Sequence, residues 1–163
     1  GFEVGTSYAR RAGYEVVGRG GLTLTEKWKD GVSTLHGMHV HGFPNLLIFS
    51  NSQSGFSVNY PHMLNAQAQH ASWIIAEAQQ RQARTVEASR AAEEAWVQTI
   101  IDSALMRQQF QEECTPGYYN NEGKPSALAA RNGSYGKGSI AFIKLMEEWR
   151  AAGTLEGLEL TSG

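Results

Sequence analysis

The chain has 163 residues, 41% of them hydrophobic and 18% charged, a balance that fits one globular domain of ordinary size and excludes a disordered chain. Its 14 Lys and Arg against 16 Asp and Glu give a net charge of −2, which argues against nucleic acid as the main partner. No apolar run approaches the ~20 residues of a membrane span, and the single cysteine, Cys114, excludes an internal disulfide framework or a zinc cluster and fits a cytoplasmic location.

The chain opens on Gly1-Phe2-Glu3, with no initiator Met, signal peptide or element start, and is read as the C-terminal piece of a longer protein. Residues 1–42 are loop-rich. Tyr14-Glu15-Val16-Val17-Gly18 has the composition of a strand, broken by Gly20-Gly21. Leu22 to Trp28 offers a short strand and one helical turn, and Lys29-Asp30-Gly31 is a turn. Leu46-Leu47-Ile48-Phe49 is apolar on both faces, as a parallel strand covered on both sides is. A polar loop and then a helix follow. Pro61 suits a first helical turn, and Leu64, Ala68, Ala71, Ile75 and Ala78 recur at helical spacing.

The stretch from Gln79 to Arg90 is polar and contains a break. A second helix carries Ala92, Trp96, Ile100 and Ala104, and ends before Cys114-Thr115-Pro116-Gly117. Tyr118 to Gly138 is loop, rich in Gly and Asn. A third helix runs from about Ser139 to Ala152, with Phe142, Leu145, Met146 and Trp149 on one face and Gly153 placed as its cap. Leu158-Glu159-Leu160 is a last short strand. The fold class is α/β: one buried parallel strand, loops and about three helices. A doubly covered parallel strand needs neighbours on both sides, and this chain offers few, so the remaining strands are expected upstream.

Several motifs fail on their chemistry. Gly133-Ser134-Tyr135-Gly136-Lys137-Gly138 has three glycines, but in the reverse spacing of a dinucleotide fingerprint and with no strong strand before it. Gly117 to Lys124 has one residue too many for a phosphate loop, with Pro125 where Ser or Thr must hold magnesium. His36, His39 and His41 lack a further ligand beyond the distant Glu26 and Asp30, so they are read as surface or hydrogen-bonding histidines, and no metal is expected. Asn132-Gly133-Ser134 is a glycosylation sequon without a secretory signal, and Cys114 is a lone thiol read as packing.

The strand–loop–helix at 45–64 survives this sorting. Its loop holds Ser50, Asn51, Ser52, Gln53, Ser54 and Ser57, with Gly55 allowing close backbone approach. In open α/β folds ligands sit just past the carboxyl end of such a strand, and such a loop supplies the polar groups that a ligand edge needs. The bland alternative is an ordinary βα turn.

Four stretches in order, Gly1-Phe2-Glu3-Val4-Gly5-Thr6-Ser7-Tyr8, Glu26-Lys27-Trp28-Lys29-Asp30-Gly31, Gly42-Phe43-Pro44-Asn45-Leu46 and Asn59-Tyr60-Pro61-His62-Met63-Leu64, resemble the C-terminal part of flavin-dependent Baeyer–Villiger monooxygenases. Cys114-Thr115-Pro116-Gly117-Tyr118-Tyr119-Asn120-Asn121-Glu122-Gly123 resembles the branch acting on steroid, aryl and macrocyclic ketones. The resemblance implies the C-terminal portion of a Rossmann-like FAD-binding domain over 1–163. Residues 1–42 would return from the NADP domain, 43–114 would hold the strand, flavin loop and helices, and 115–163 a cofactor-proximal loop and the terminal helix.

It further implies FAD and NADP as cofactors, a ketone and O2 as substrates, and insertion of one oxygen atom beside the carbonyl through a C4a-peroxyflavin to give an ester or lactone. Gln53, Ser54 and Asn59 would contact FAD, Gln53 and Ser54 largely through backbone. Phe56, Tyr60 and, behind them, Met63 would wall the ketone pocket. Tyr118 stands where many relatives place a Trp that reaches the nicotinamide cofactor, and Asn120 would assist. The catalytic Arg, the dinucleotide fingerprints and the family signature are not in this chain. They are expected in the missing N-terminal part, without which the segment is inactive. Two other readings stand beside this one: a non-catalytic helical interaction module, and a related flavin N-hydroxylase.

Overall fold

The computed structural model describes residues 9, 12–113 and 127–162, the side chains of 105–113 and 127–129 excepted. After a 3-10 turn at Arg19–Gly21, the elements are α1 (Leu24–Lys27), α2 (Tyr60–Gln80), β1 (Ala83–Ala88), α3 (Arg90–Glu113), α4 (Ala127–Asn132), α5 (Ser139–Ala152) and β2 (Leu158–Ser162). Local chemistry accounts for the helix ends. Thr23 Oγ1 accepts the Glu26 N–H at 3.1 Å to start α1. Asn59 Oδ1 accepts the His62 N–H at 3.3 Å to start α2, and Pro61 occupies the first turn, where a missing donor costs nothing. Gly153 closes α5 at φ 68°, a left-handed position that glycine adopts without strain.

β1 and β2 pair antiparallel, with Val86 opposite Leu160, Glu87 opposite Glu159 and Ala88 opposite Leu158. A two-stranded ribbon is marginal alone. Here α2 covers it: Ile74 and Ala78 join Val86 and Leu155 in one buried cluster. The largest cluster joins Met63 and Ala66 of α2, Trp96 and Ile100 of α3, and Phe142 and Met146 of α5 with Leu35 and Tyr135. A third cluster, Leu24, Trp28, Val32, Val40 and Phe43, folds the N-terminal loops on themselves.

Two buried carboxylates fasten those loops to the rest. Glu87 on β1 accepts from Arg19 at 2.7 Å and from the Gly42 N–H at 2.8 Å. Glu93 on α3 accepts from Lys27 at 2.7 Å and from the His41 N–H at 2.8 Å. Each carboxylate is thus both paired and hydrogen-bonded, the condition for burying a charge. Asn45 then mimics a third strand residue: its N–H donates to Val86 O at 2.8 Å while its Oδ1 accepts the Val86 N–H at 3.0 Å.

The structure corrects the sequence reading at several elements. The described residues contain no parallel strand. Residues 46–49 lie outside any strand, with Phe49 42% exposed, because no neighbouring strand among the described residues receives them; Ile48 N–H instead donates to Met38 O at 3.0 Å. Tyr14–Gly18 makes only an isolated bridge, Val17 with Thr23. The polar stretch after Gln79 holds strand β1, and the loop read over 118–138 contains α4. Helices α2, α3 and α5 and strand β2 lie where expected, but α2 is turned from the stripe read for it: Met63, Ala66, His70, Ile74 and Ala78 face the core, while Ala68 and Ile75 are exposed. No helix among the described residues is long and apolar enough to cross a membrane.

Candidate functional site

Loop 50–59 leads from the Leu46–Phe49 stretch into α2. Its base turns inward. Gln53 is fully buried with φ 56°, a left-handed backbone that a non-glycine residue adopts only when its surroundings fix it. All its polar groups are used. Nε2 donates to Val32 O at 2.8 Å and Arg131 O at 2.9 Å, and Oε1 accepts from Thr34 Oγ1 at 2.6 Å. The backbone N–H donates to Gly133 O at 2.7 Å, and the carbonyl accepts from Trp96 Nε1 at 2.9 Å. Ser54, also fully buried, donates from Oγ to Ser50 O and accepts the Tyr135 N–H at 2.9 Å. At Gly55 an added Cβ would lie 2.6 Å from Met63 Cε and 2.9 Å from Phe142 Cδ1, so the chain passes directly over the core there.

The tip turns outward. Phe56 is 51% exposed, Val58 100% and Tyr60 37%. Asn59 is spent as the cap of α2. Met63 lies wholly buried behind Gly55, as a core residue. The structure therefore brings Gln53, Ser54, Phe56, Asn59, Tyr60 and Met63 together on one loop and helix start. Tyr118 and Asn120, like Cys114, lie outside the described residues.

Sequence reasoning missed the residues that hold the loop. Trp96 and Arg131 reach it from 43 and 78 residues away. Trp96 stood in the apolar stripe of α3, but nothing in its spacing marked the direction of its indole N–H. Gly133–Gly138 is a loop, as read, and Gly136 serves packing there: a Cβ on it would sit 2.2 Å from Ser103 O.

The histidine reading changes. His36 and His39 are buried rather than on the surface, and they meet a third histidine, His70 of α2. The His36 ring lies 5.8 Å from that of His70 and 4.9 Å, edge-on, from Trp96. Burial pushes His36 down to about 4. It pushes His39 and His70 down to about 3, with smaller contributions from His36 for both and from Arg150 for His70. Neither ring nitrogen of His39 has a partner among the described residues. His41 hydrogen-bonds as read, through Nδ1 to Ala88 O at 2.9 Å. Among the described residues no group of three or more His, Cys, Asp or Glu is arranged to hold a metal ion. Two clefts lie away from the loop: one of about 430 Å³ beside Val16, Arg19, Phe43 and Leu46, and one of about 280 Å³ beside His39, Leu47, Ile74 and Val86.

No family model matches the chain. Curated proteins do. It is 47% identical over 161 residues to neopentalenolactone D synthase of Streptomyces avermitilis, which covers 99% of this chain and 27% of that protein. It is 37% identical over 161 residues to a Baeyer–Villiger monooxygenase of Stachybotrys chlorohalonatus (98% and 26% covered). It is 37% identical over 161 residues to an FAD-binding monooxygenase of Hypomyces subiculosus (99% and 27%). Among solved structures, the polycyclic ketone monooxygenase of Thermothelomyces thermophila superimposes with a TM-score of 0.83 at 36% identity, covering 96% of this chain and 25% of that one. An oxidised steroid monooxygenase bound to NADP shares the fold at a TM-score of 0.75 and 22% identity, covering 96% of this chain and 28% of that one. The chain spans about a quarter of the length of the curated relatives it matches. Over nearly its whole length, the chain is a homologue of a segment of Baeyer–Villiger monooxygenases.

Proposed function

We propose that the protein to which this chain belongs is an FAD- and NADPH-dependent monooxygenase that inserts one oxygen atom of O2 beside a ketone carbonyl to give an ester or lactone. The observation that carries the proposal is the 36% identical superposition on a polycyclic ketone monooxygenase across 96% of the chain. The names of an FAD-binding relative and of an NADP-bound structural neighbour support the two cofactors. In this reading the segment supplies one wall of the flavin, substrate and NADP site, and the rest of the protein supplies the catalytic groups.

The loop's chemistry fits that role. Asn51 Oδ1 is buried with no partner among the described residues, an acceptor free for a ring N–H such as the flavin imide. Beside it in sequence, Phe56 and Tyr60 present apolar surface suited to a ketone's carbon skeleton. When bound, FAD reduced by NADPH would supply the oxygen chemistry. The chain's own residues would orient and shield it: Ser54 and Asn59 along the flavin loop, Gln53 by fixing its path, Phe56 and Tyr60 against the ketone with Met63 behind, and Tyr118 and Asn120 toward the nicotinamide.

The test is an absorbance spectrum of the purified protein, followed by NADPH consumption with and without a polycyclic ketone. Bound oxidised flavin and ketone-dependent oxidation with ester or lactone product are expected. A colourless protein would leave only an interaction module. A yellow protein that hydroxylates amines and ignores ketones would make it an N-hydroxylase.

A further inference from the structure

We propose that Gln53 is a positioning residue: it sets the path of the loop that presents Phe56 and Tyr60, and it does so from inside the fold without touching substrate or cofactor. The inference rests on the monooxygenase reading for what the loop faces, but its geometry stands apart from that reading.

Three separate parts of the chain converge on this one residue. Thr34 and the Val32 carbonyl come from the N-terminal loops, Trp96 from α3, and the Arg131 and Gly133 carbonyls from the end of α4 and just beyond. Arg131 Nε also donates to Val32 O at 2.8 Å, so two of the three parts are tied to each other at the same oxygen. The bonding is directional. A side-chain amide carries donors at one end and an acceptor at the other. Here the donors meet two carbonyls and the acceptor meets a hydroxyl, so the amide fits one way round only. The backbone of Gln53 sits at φ 56°, and the net of bonds holds it there against the cost of a left-handed residue. Two residues on, Gly55 passes over Met63 and Phe142, and the next residue, Phe56, is half in solvent. The loop thus leaves the core at a point whose direction Gln53 fixes, and a displacement of even 1 Å in such a wall is enough to cost about 100-fold in rate.

The test uses the full-length protein with Gln53→Glu, which keeps the shape but sets a carboxyl oxygen against the Val32 and Arg131 carbonyls, and with Thr34→Val, which removes one bond only. Hydrogen exchange is read at the Gln53 and Tyr135 amides, which bond Gly133 O and Ser54 O. Both amides are expected to exchange about 100-fold faster in Gln53→Glu, with α2 and α5 unchanged. In the same variant kcat/KM for the ketone, per bound flavin, is expected to fall about 10- to 100-fold, chiefly in KM. Part of that loss should return as the pH is lowered and the carboxyl becomes a donor. Thr34→Val should show the same pattern, about threefold. Unchanged exchange at the two amides would overturn the proposal. So would faster exchange with unaltered KM and kcat per bound flavin, since Gln53 would then serve the fold alone. If the wild-type protein carries no flavin and Gln53→Glu still exchanges faster at both amides, the monooxygenase reading falls and the loop-setting role stands.

Discussion

The base and the tip of loop 50–59 are built from opposite kinds of residue and face opposite ways. At the base, Gln53 and Ser54 are polar and fully buried; at the tip, Phe56 and Val58 are apolar and 51% and 100% exposed. This inverts the ordinary distribution, in which glutamine and serine face water and phenylalanine and valine do not. The inversion teaches how the loop works. Hydrogen bonds hold direction where apolar contacts hold only proximity, so the polar residues go inside to fix the path. The apolar residues are then free to face whatever the loop meets, and an apolar row held out over a rigid polar base marks a surface made for contact.

The comparison is broken most severely from the base. Trp96 is 6% exposed, donates to the Gln53 carbonyl at 2.9 Å, and lies stacked on Tyr135 with ring centroids 5.5 Å apart. Trp96→Ala should cost about 3–5 kcal/mol, the loss of a large buried side chain plus the cavity it leaves. Trp96→Phe, which keeps most of the packing and drops the N–H, should cost about 1–3 kcal/mol, since the Gln53 carbonyl is left buried without that donor. Denaturant midpoints check both values. If Trp96→Ala costs no more than Phe56→Ala at the tip, the division between a rigid base and a free tip is wrong.

A second effect comes from the histidines behind the base. His36, His39 and His70 are held neutral by burial, His36 at about 4 and the other two at about 3, below the ordinary histidine value of about 6.5. Arg150 faces the group from α5, with Nη1 3.3 Å from His70 Nδ1, and adds to the disfavour of a second positive charge. The unfolded chain takes up protons as pH falls below about 6.5 and the folded chain does not. Stability is therefore fully present above that pH and is lost as the pH falls toward 4. The slope is about 1.4 kcal/mol per unit for each histidine. Unfolding midpoints at pH 7 and pH 5 should differ strongly in the wild type. They should differ less in His39→Leu, whose histidine has no bonded nitrogen to lose among the described residues. Equal acid slopes in the two proteins would show that His39 titrates normally.

Much of the scaffold was legible because it obeys local rules. The apolar spacing of α5, Pro61 in a first turn and Gly153 after a last one are decided within a few residues of sequence, and they fall where expected; the face of α2 does not, because its core side includes Gln67 and His70, which a search for apolar residues passes over. What was not legible depends on distant partners. Strand β1 reads as polar because Arg84, Thr85 and Glu87 lie in it, and Glu87 is buried because Arg19 and the Gly42 N–H, from 68 and 45 residues earlier, come to meet it. Leu46–Phe49 reads as a buried strand because its residues are apolar, but a strand is made by its neighbours, and no described residue supplies one. The loop was legible as a place, through its polar run and Gly55. The inward turn of Gln53 was not, since a glutamine's burial is written in the carbonyls that surround it.

The smallest effect is the sharpest test of the tip. Val58 is entirely exposed, so among the described residues its side chain has no apolar contact to lose. Val58→Ser should leave the unfolding midpoint of the protein within about 0.5 kcal/mol of wild type, the usual range for a surface change. A loss above about 1 kcal/mol would mean that Val58 is covered in the full-length protein, because removing a methyl pair costs that much only where water has been excluded. The tip would then be an inner wall between this segment and the rest of the polypeptide, and the contrast with the base would be one between two kinds of burial. A null result keeps the contrast as drawn, with a fixed base and a tip open to a ligand.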